Sequence, residues 1–192
     1  MSTPWRKSRT GLPSPLPEAK AGQHLRKVED LWPLAGKLLV AERLRLNTRR
    51  LTTVWLEQPV LSNLWWTVSL KEKRSIDQNS KTLALWLNST LGLIALIANR
   101  EETEGPWIDF KKPVLKALPV LDVTLLSGDQ RRELASAYDR LADQTLQPFP
   151  QMAGDPVRAE IDAAIAQALG LPDFSVLRTL LAQEPIICLE RL

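Results

Sequence analysis

The chain has 192 residues, 44% hydrophobic and 24% charged, with a formal net charge of +3, values ordinary for a globular protein with a real core. A single histidine, His24, and a single cysteine, Cys188, exclude an internal disulfide and a four-ligand structural zinc site. No P-loop and no Gly-x-Gly-x-x-Gly turn is present, so neither a cofactor nor a metal is expected.

The small net charge conceals an asymmetry. Residues 1–82 hold 15 Lys and Arg against 7 Asp and Glu, whereas residues 83–192 hold 10 against 15. A basic half joined to an acidic half suits a surface built for an anionic partner, and suits mutual neutralisation equally well. The acidic half is not expected to contribute to such a surface. No apolar secretory segment opens the chain, and a cytoplasmic location is expected.

In chain order, residues 1–30 read as a basic, proline-rich leader, with Pro4, Pro13, Pro15 and Pro17 opposing regular structure. Residues 31–192 read as one α+β recognition-type domain, with a helical extension from about residue 127. Strands are expected near 37–46, 50–57 and 63–70, from the alternation in Arg43-Leu44-Arg45-Leu46-Asn47 and from segments rich in Thr, Val and Trp. Gln58-Pro59 and Ser62-Asn63 mark breaks. The adjacent Trp65 and Trp66 should face opposite sides, one buried and one exposed. The segment Lys71–Asn79 opens as a polar, basic loop.

Thr82–Asn99 follows, eighteen residues without a charge. Asn88, Ser89 and Thr90 lie in its middle, where a bilayer would leave polar groups costly to satisfy, so a buried helix is expected rather than a membrane span. Starting near Ile76 or Asp77, it would be a single helix of about 23 residues at 1.5 Å rise each. Asn88 should serve the core as an amide that caps or bridges backbone. Gly92 permits close packing or a bend. Gly105-Pro106 marks a turn into a short strand, and Pro113 and Pro119 bracket a short helical turn.

Three helical segments close the chain. Ser127 and Gln130 have the spacing of a capping box, ahead of a Leu134, Tyr138, Leu141 stripe. Asp155-Pro156 is an N-cap followed by proline at N1, and Gly170 is placed to end that helix. A last helix should run from about Phe174 to Gln183. Asp139, Asp143, Glu160 and Asp162 are expected on solvent faces. The predicted fold is thus α+β: a small, mostly antiparallel sheet of about three or four strands packed on a long central helix, followed by a helical C-terminal part.

The stretch from Leu83 to Asp122 resembles the target-recognition region of bacterial adenine-specific DNA methyltransferases and a half of the specificity subunits of type I restriction systems. The resemblance rests on an ordered series: Leu87-Asn88-Ser89 on a helix, a glycine-containing turn and a strand, Leu118-Pro119-Val120, then a helix with Gln130 near its start. With its upstream segments it covers roughly Gly36 to Leu181. The family's methyltransferases bind S-adenosylmethionine through a Gly-rich loop and hold adenine with an Asn/Asp-Pro-Pro-Tyr/Phe motif; this chain has neither. The resemblance therefore implies a recognition module without the catalytic core, either a split subunit or a truncated gene product of a restriction-modification system. It would have no activity alone, and its partners would be double-stranded DNA and a separate methyltransferase or restriction subunit.

Candidate DNA contacts fall in three basic clusters: Arg43, Arg45, Asn47, Thr48, Arg49 and Arg50; Lys71, Lys73 and Arg74; Lys111 and Lys112. Arg and Asn form bidentate contacts with base edges, and Lys and Thr commonly hold phosphates. By type alone these residues suit a solvated strand face and two ordinary basic loops as well; the resemblance turns the reading toward DNA. The alternative is a protein-interaction subunit that docks on a partner chain without direct DNA contact.

Overall fold

The computed structural model describes residues 28–47, 50–102 and 107–188. Most of the leader, and the Gly105-Pro106 turn, lie outside them. Within them the chain opens with a single helical turn, α1 (Val28–Leu31), and a 3-10 turn. Strands β1 (Gly36–Ala41), β2 (Arg43–Leu44), β3 (Thr53–Val60) and β4 (Trp65–Val68) follow. Next come helices α2 (Ile76–Asn88) and α3 (Thr90–Ala98), the two-residue strands β5 (Glu101–Glu102) and β6 (Ile108–Asp109), and α4 (Lys112–Ala117). The C-terminal part is helical: α5 (Gly128–Leu141), α6 (Pro156–Leu169), α7 (Ser175–Ala182) and α8 (Pro185–Cys188).

Strands β3, β1 and β4 form an antiparallel sheet in that order, packed on α2. Leu38, Leu39, Val40 and Ala41 of β1 are all buried, as befits a central strand covered on both faces. The chain then passes from one sheet to another at Glu42. Its amide donates to the Leu64 carbonyl, beside β4, while its own carbonyl accepts from Phe110, beside β6. The second sheet, β2-β6-β5, is held largely by backbone pairing of Arg43 and Leu44 with Asp109 and Ile108. Pro59, expected to end a strand, lies inside β3. The strand accommodates it because β3 is an edge, and the register against β1 slips between Gly36 and Leu38. Trp65 and Trp66 are both half-buried, so the expected split into one buried and one exposed ring does not occur.

The expected 23-residue helix is two helices, bent by 72° at Ser89. Ser89 has extended backbone; its hydroxyl donates to the Trp86 carbonyl at 2.6 Å, closing α2, and accepts from the Gly92 amide at 3.3 Å, opening α3. Gly92 makes the bend possible, since a Cβ there would stand 2.2 Å from the Trp86 oxygen and 2.6 Å from the Leu87 Cα. Among the described residues no single helix is long and apolar enough to cross a membrane, and the bent pair is the one combination that has that length and composition.

Asn88 is the amide the sequence predicts. Its Oδ1 accepts from the Thr52 amide at 3.1 Å, the Thr53 amide at 3.4 Å and the Thr52 hydroxyl at 3.2 Å. Its Nδ2 donates to the Thr53 and Ala84 carbonyls at 2.8 and 2.9 Å. One side chain thus satisfies the entry to β3 and ties it to the last turn of α2, where water does not reach.

The capping box of α5 is complete: Gln130 N donates to Ser127 Oγ at 3.1 Å and Ser127 N to Gln130 Oε1 at 2.8 Å. Asp155 caps α6, and Gly170 ends it in the left-handed conformation with φ 64°. Asp139, Asp143 and Glu160 are exposed as expected, but Asp162 is not: it is 3% exposed. Its carboxylate accepts from the Thr90 amide and hydroxyl at 2.8 and 2.7 Å and from Arg178 Nη1 at 2.7 Å, joining α3, α6 and α7. The α6 face that carries Asp162 is covered by α3 and α7, which the periodicity of α6 alone does not reveal.

Candidate nucleic-acid interface

The first basic cluster is divided by the fold. Leu44 and Leu46 are buried, while Arg43 is exposed and Arg45 half-buried, so the alternation holds over a strand only two residues long. Arg43 does not project freely. Its Nε and Nη2 donate to Asp109 Oδ1 and Oδ2 at 2.5 and 2.8 Å, a bidentate pair across the second sheet. Lys111, the N-cap of α4, donates to the same carboxylate at 3.3 Å and lies 4.0 Å from Glu101. Hydrogen bonding from Arg43 holds the buried Asp109 carboxyl below its usual range against the opposing effect of burial, with Lys111 adding to the effect. The same bond raises the Arg43 guanidinium above its ordinary value. The structure therefore joins the first and third predicted clusters around Asp109, and two cations face two carboxylates there.

Of the rest of the first cluster, Arg50 is anchored from the helical half. Asn47 is half-buried, with its Oδ1 lacking a hydrogen-bond partner among the described residues. Thr48 and Arg49 lie outside the described residues. Arg50 has an exposed side chain, and its carbonyl accepts from Nη2 of Arg158 on α6. Arg158 is 2% exposed, lies over the Phe149 ring at 4.5 Å and is 3.6 Å from Asp155. Burial pulls its guanidinium down to about 10, against the opposing effect of Asp155. This buried cation went unpredicted; its position within a run of alanines and isoleucines is the only local hint.

Lys71, Lys73 and Arg74, between β4 and α2, are exposed, and among the described residues their side chains form no ion pair. Lys112 opens α4 with its Nζ 5.6 Å from the Trp66 ring, whose Nε1 donates to the Phe110 carbonyl at 3.0 Å. Beside it lies a groove of about 990 Å³ lined by Leu34, Leu61, Trp65, Trp66, Lys112 and Lys116. Trp55, on β3, is enclosed differently: Tyr138 Oη bonds both its amide and its carbonyl at 3.1 Å, and Lys81 Nζ lies 4.5 Å from its ring. Burial pushes the Tyr138 hydroxyl up to about 12, partly offset by that bond to the Trp55 backbone. Tyr138 is thus a neutral hydrogen-bonding post at ordinary pH.

A second, polar cleft of about 460 Å³ lies between the β4–α2 loop and the start of α5. Arg74, Arg131 and Arg132 line it, together with Glu72. Only Arg74 belonged to the predicted clusters. The signal for the others was present: two arginines within five residues of a capped helix start oppose the helix dipole and call for a reason. Among the described residues no group of three or more His, Cys, Asp or Glu side chains is arranged to hold a metal.

Comparison with protein-family models, curated proteins and solved structures found no match to the chain.

Proposed function

We propose that the chain is a double-stranded-DNA recognition module of the adenine-methyltransferase or restriction-modification type, with no chemistry of its own. A separate methyltransferase or restriction subunit would supply the catalytic core, in the bacterial cytoplasm. The observation that carries this reading is the exposed basic loop of Lys71, Lys73 and Arg74 between β4 and α2, whose side chains form no ion pair among the described residues. Arg50 and Lys112 add exposed cations. The ordered motif series supports it in a second way, since Asn88 and Ser89 fix the helix break and the β3 entry on which such a module would be built. Arg43 has a smaller part than its position in the sequence suggests, because its fork already holds Asp109.

The test is fluorescence anisotropy with a duplex at several salt concentrations. With about four phosphates neutralised, log K should fall against log salt with a slope of about −3.6. Replacing Lys71 and Lys73 with Ala should flatten that slope by about 1.8, and Arg43→Ala should leave it almost unchanged. Failure to bind at low salt would overturn the reading.

A protein-docking role is favoured by one specific observation: α7 exposes Val176, Leu177 and Leu180 on its surface, with Leu171 nearby in sequence. That face, like the tryptophan-lined groove, suits burial against another chain.

A further inference from the structure

We propose that the cleft between the β4–α2 loop and the start of α5 is a phosphate-binding site, with Arg74, Arg131 and Arg132 as its cations. Two parts of the chain far apart in sequence bring three arginines to the lining of one cavity of about 460 Å³. Guanidinium forks are the side chains best matched to phosphate oxygens. Glu72 is the one carboxylate in the lining, and its Oε1 accepts from the Arg74 amide at 2.7 Å. Arg132 is paired with Asp129 one turn earlier, on an exposed surface where such a pair is readily exchanged. Arg131 lines the cleft as well, and its buried Nε has no hydrogen-bond partner among the described residues, so no side chain there neutralises it.

The backbone agrees with the side chains. Ser127 takes up the Gln130 amide, while the first amides of α5, at Gly128 and Asp129, have no acceptor within the helix. Gly128 lines the cleft, and among the described residues nothing beyond its chain neighbours and its own helix backbone lies within 4 Å of where its Cβ would stand, so the approach to that end of α5 is open. The Ser75 side chain caps nothing and also faces the cavity, whereas the Thr124 hydroxyl is committed to Asp122 at 2.6 Å. The half of the chain with excess negative charge thus contributes cations at one place, which its net charge hides.

The source of the phosphate rests on the DNA reading: there it is one of the duplex backbone, held beside the Lys71–Arg74 loop. The experiment separates the two ideas with the full chain and two probes, a labelled duplex and inorganic pyrophosphate. Gly128→Asp is the decisive variant. It places a carboxylate at the mouth, in open space and at a helix start that favours negative charge, so its melting temperature should equal or exceed wild type. Its duplex affinity should fall at least tenfold. Arg74→Gln with Arg131→Gln should fall similarly and flatten the salt slope by about 2. Pyrophosphate should shift the amide resonances of Gly128 and Asp129 in wild type and not in Gly128→Asp. Duplex binding unchanged in both variants overturns the cleft and leaves the DNA reading standing. No duplex binding by wild type, with pyrophosphate shifts retained, overturns the DNA reading and leaves an anion site for a free phosphate compound. Absence of both signals overturns both.

Discussion

Arg178 and Arg74 carry the same group in the same chain, and the fold puts them to opposite uses. Arg178, on α7, is withdrawn from water and donates to Asp162, which also accepts from the amide and hydroxyl of Thr90. Arg74, on the β4–α2 loop, is exposed and borders a polar cleft. The first charge closes the junction of three helices; the second stands available to something outside the chain. What separates them is a partner of opposite sign, sixteen residues away along two helices in one case and lacking among the described side chains in the other.

The sharpest way to break this comparison is to remove the partner of the buried cation. Asp162→Ala should destabilise the protein by about 3–5 kcal/mol, because it strands a buried guanidinium and leaves the Thr90 amide without its acceptor. A chain of this size should then melt roughly 6–20 °C lower, as read by circular dichroism. Replacing both partners with apolar residues, Asp162→Leu with Arg178→Met, should recover much of the loss. A loss for Asp162→Ala of the size expected for an exposed pair, below about 1 kcal/mol, would show that Arg178 reaches water in solution.

Asp162 also shows where sequence reading ends. Within α6 it occupies a position that a solvated carboxylate would fill equally well, and nothing local distinguishes it from Glu160, which is exposed. Its role depends on Thr90, 72 residues earlier. Caps and turns were legible because their physics is local: Ser127 with Gln130, Asp155 with Pro156, and Gly170 each sit within a few residues of the group they serve. Asn88 was legible for a related reason, since an amide amid Leu and Trp demands partners wherever they come from. The break at Ser89 was half legible: the glycine that permits it was visible, but the 72° turn and the Asp162 carboxylate that holds the start of α3 were not. For the candidate interface, composition located the cations and could not sort them, because the sorting is done by Asp109 and by the start of α5.

A second, smaller effect probes the neutral counterpart of the Asp162 junction. Asn88→Ala should cost about 2–4 kcal/mol, measured by denaturant titration, since it leaves the buried Thr52 amide and Thr53 carbonyl unpaired at about 1–3 kcal/mol each, with some relaxation. The loss should appear without a change in duplex affinity measured well below the transition. An affinity change of tenfold in the folded protein would mean that Asn88 couples the β3 entry to the ligand surface, and the separation between fold-serving and ligand-serving polar groups would not hold.

The smallest expected effect tests the case between the extremes, Arg43, which is exposed like Arg74 and paired like Arg178. Its hydrogen bond depresses the Asp109 carboxyl in the folded state, so the unfolded chain binds that proton more readily. The stabilisation is therefore fully present above the ordinary aspartate value and is lost as pH falls through the lower, folded one. Arg43→Ala removes the largest cause of the depression and leaves burial opposed only by Lys111, so the Asp109 carboxyl should titrate at higher pH. Carbon-detected NMR titration of the carboxyl reads this directly, and the stability of the variant should vary less steeply with pH than wild type on the acid side of the ordinary aspartate value. If wild-type Asp109 instead titrates at that ordinary value, the bidentate pair is open in solution. Arg43 would then stand with Arg74 among the unpaired cations of the proposed DNA surface, and its guanidinium fork would return as a candidate reader of base edges. A depressed Asp109 that rises toward the ordinary value only as duplex is added would have a different meaning: Asp109 and the nucleic acid would compete for one guanidinium, and the pair would hold Arg43 in place until the ligand arrives.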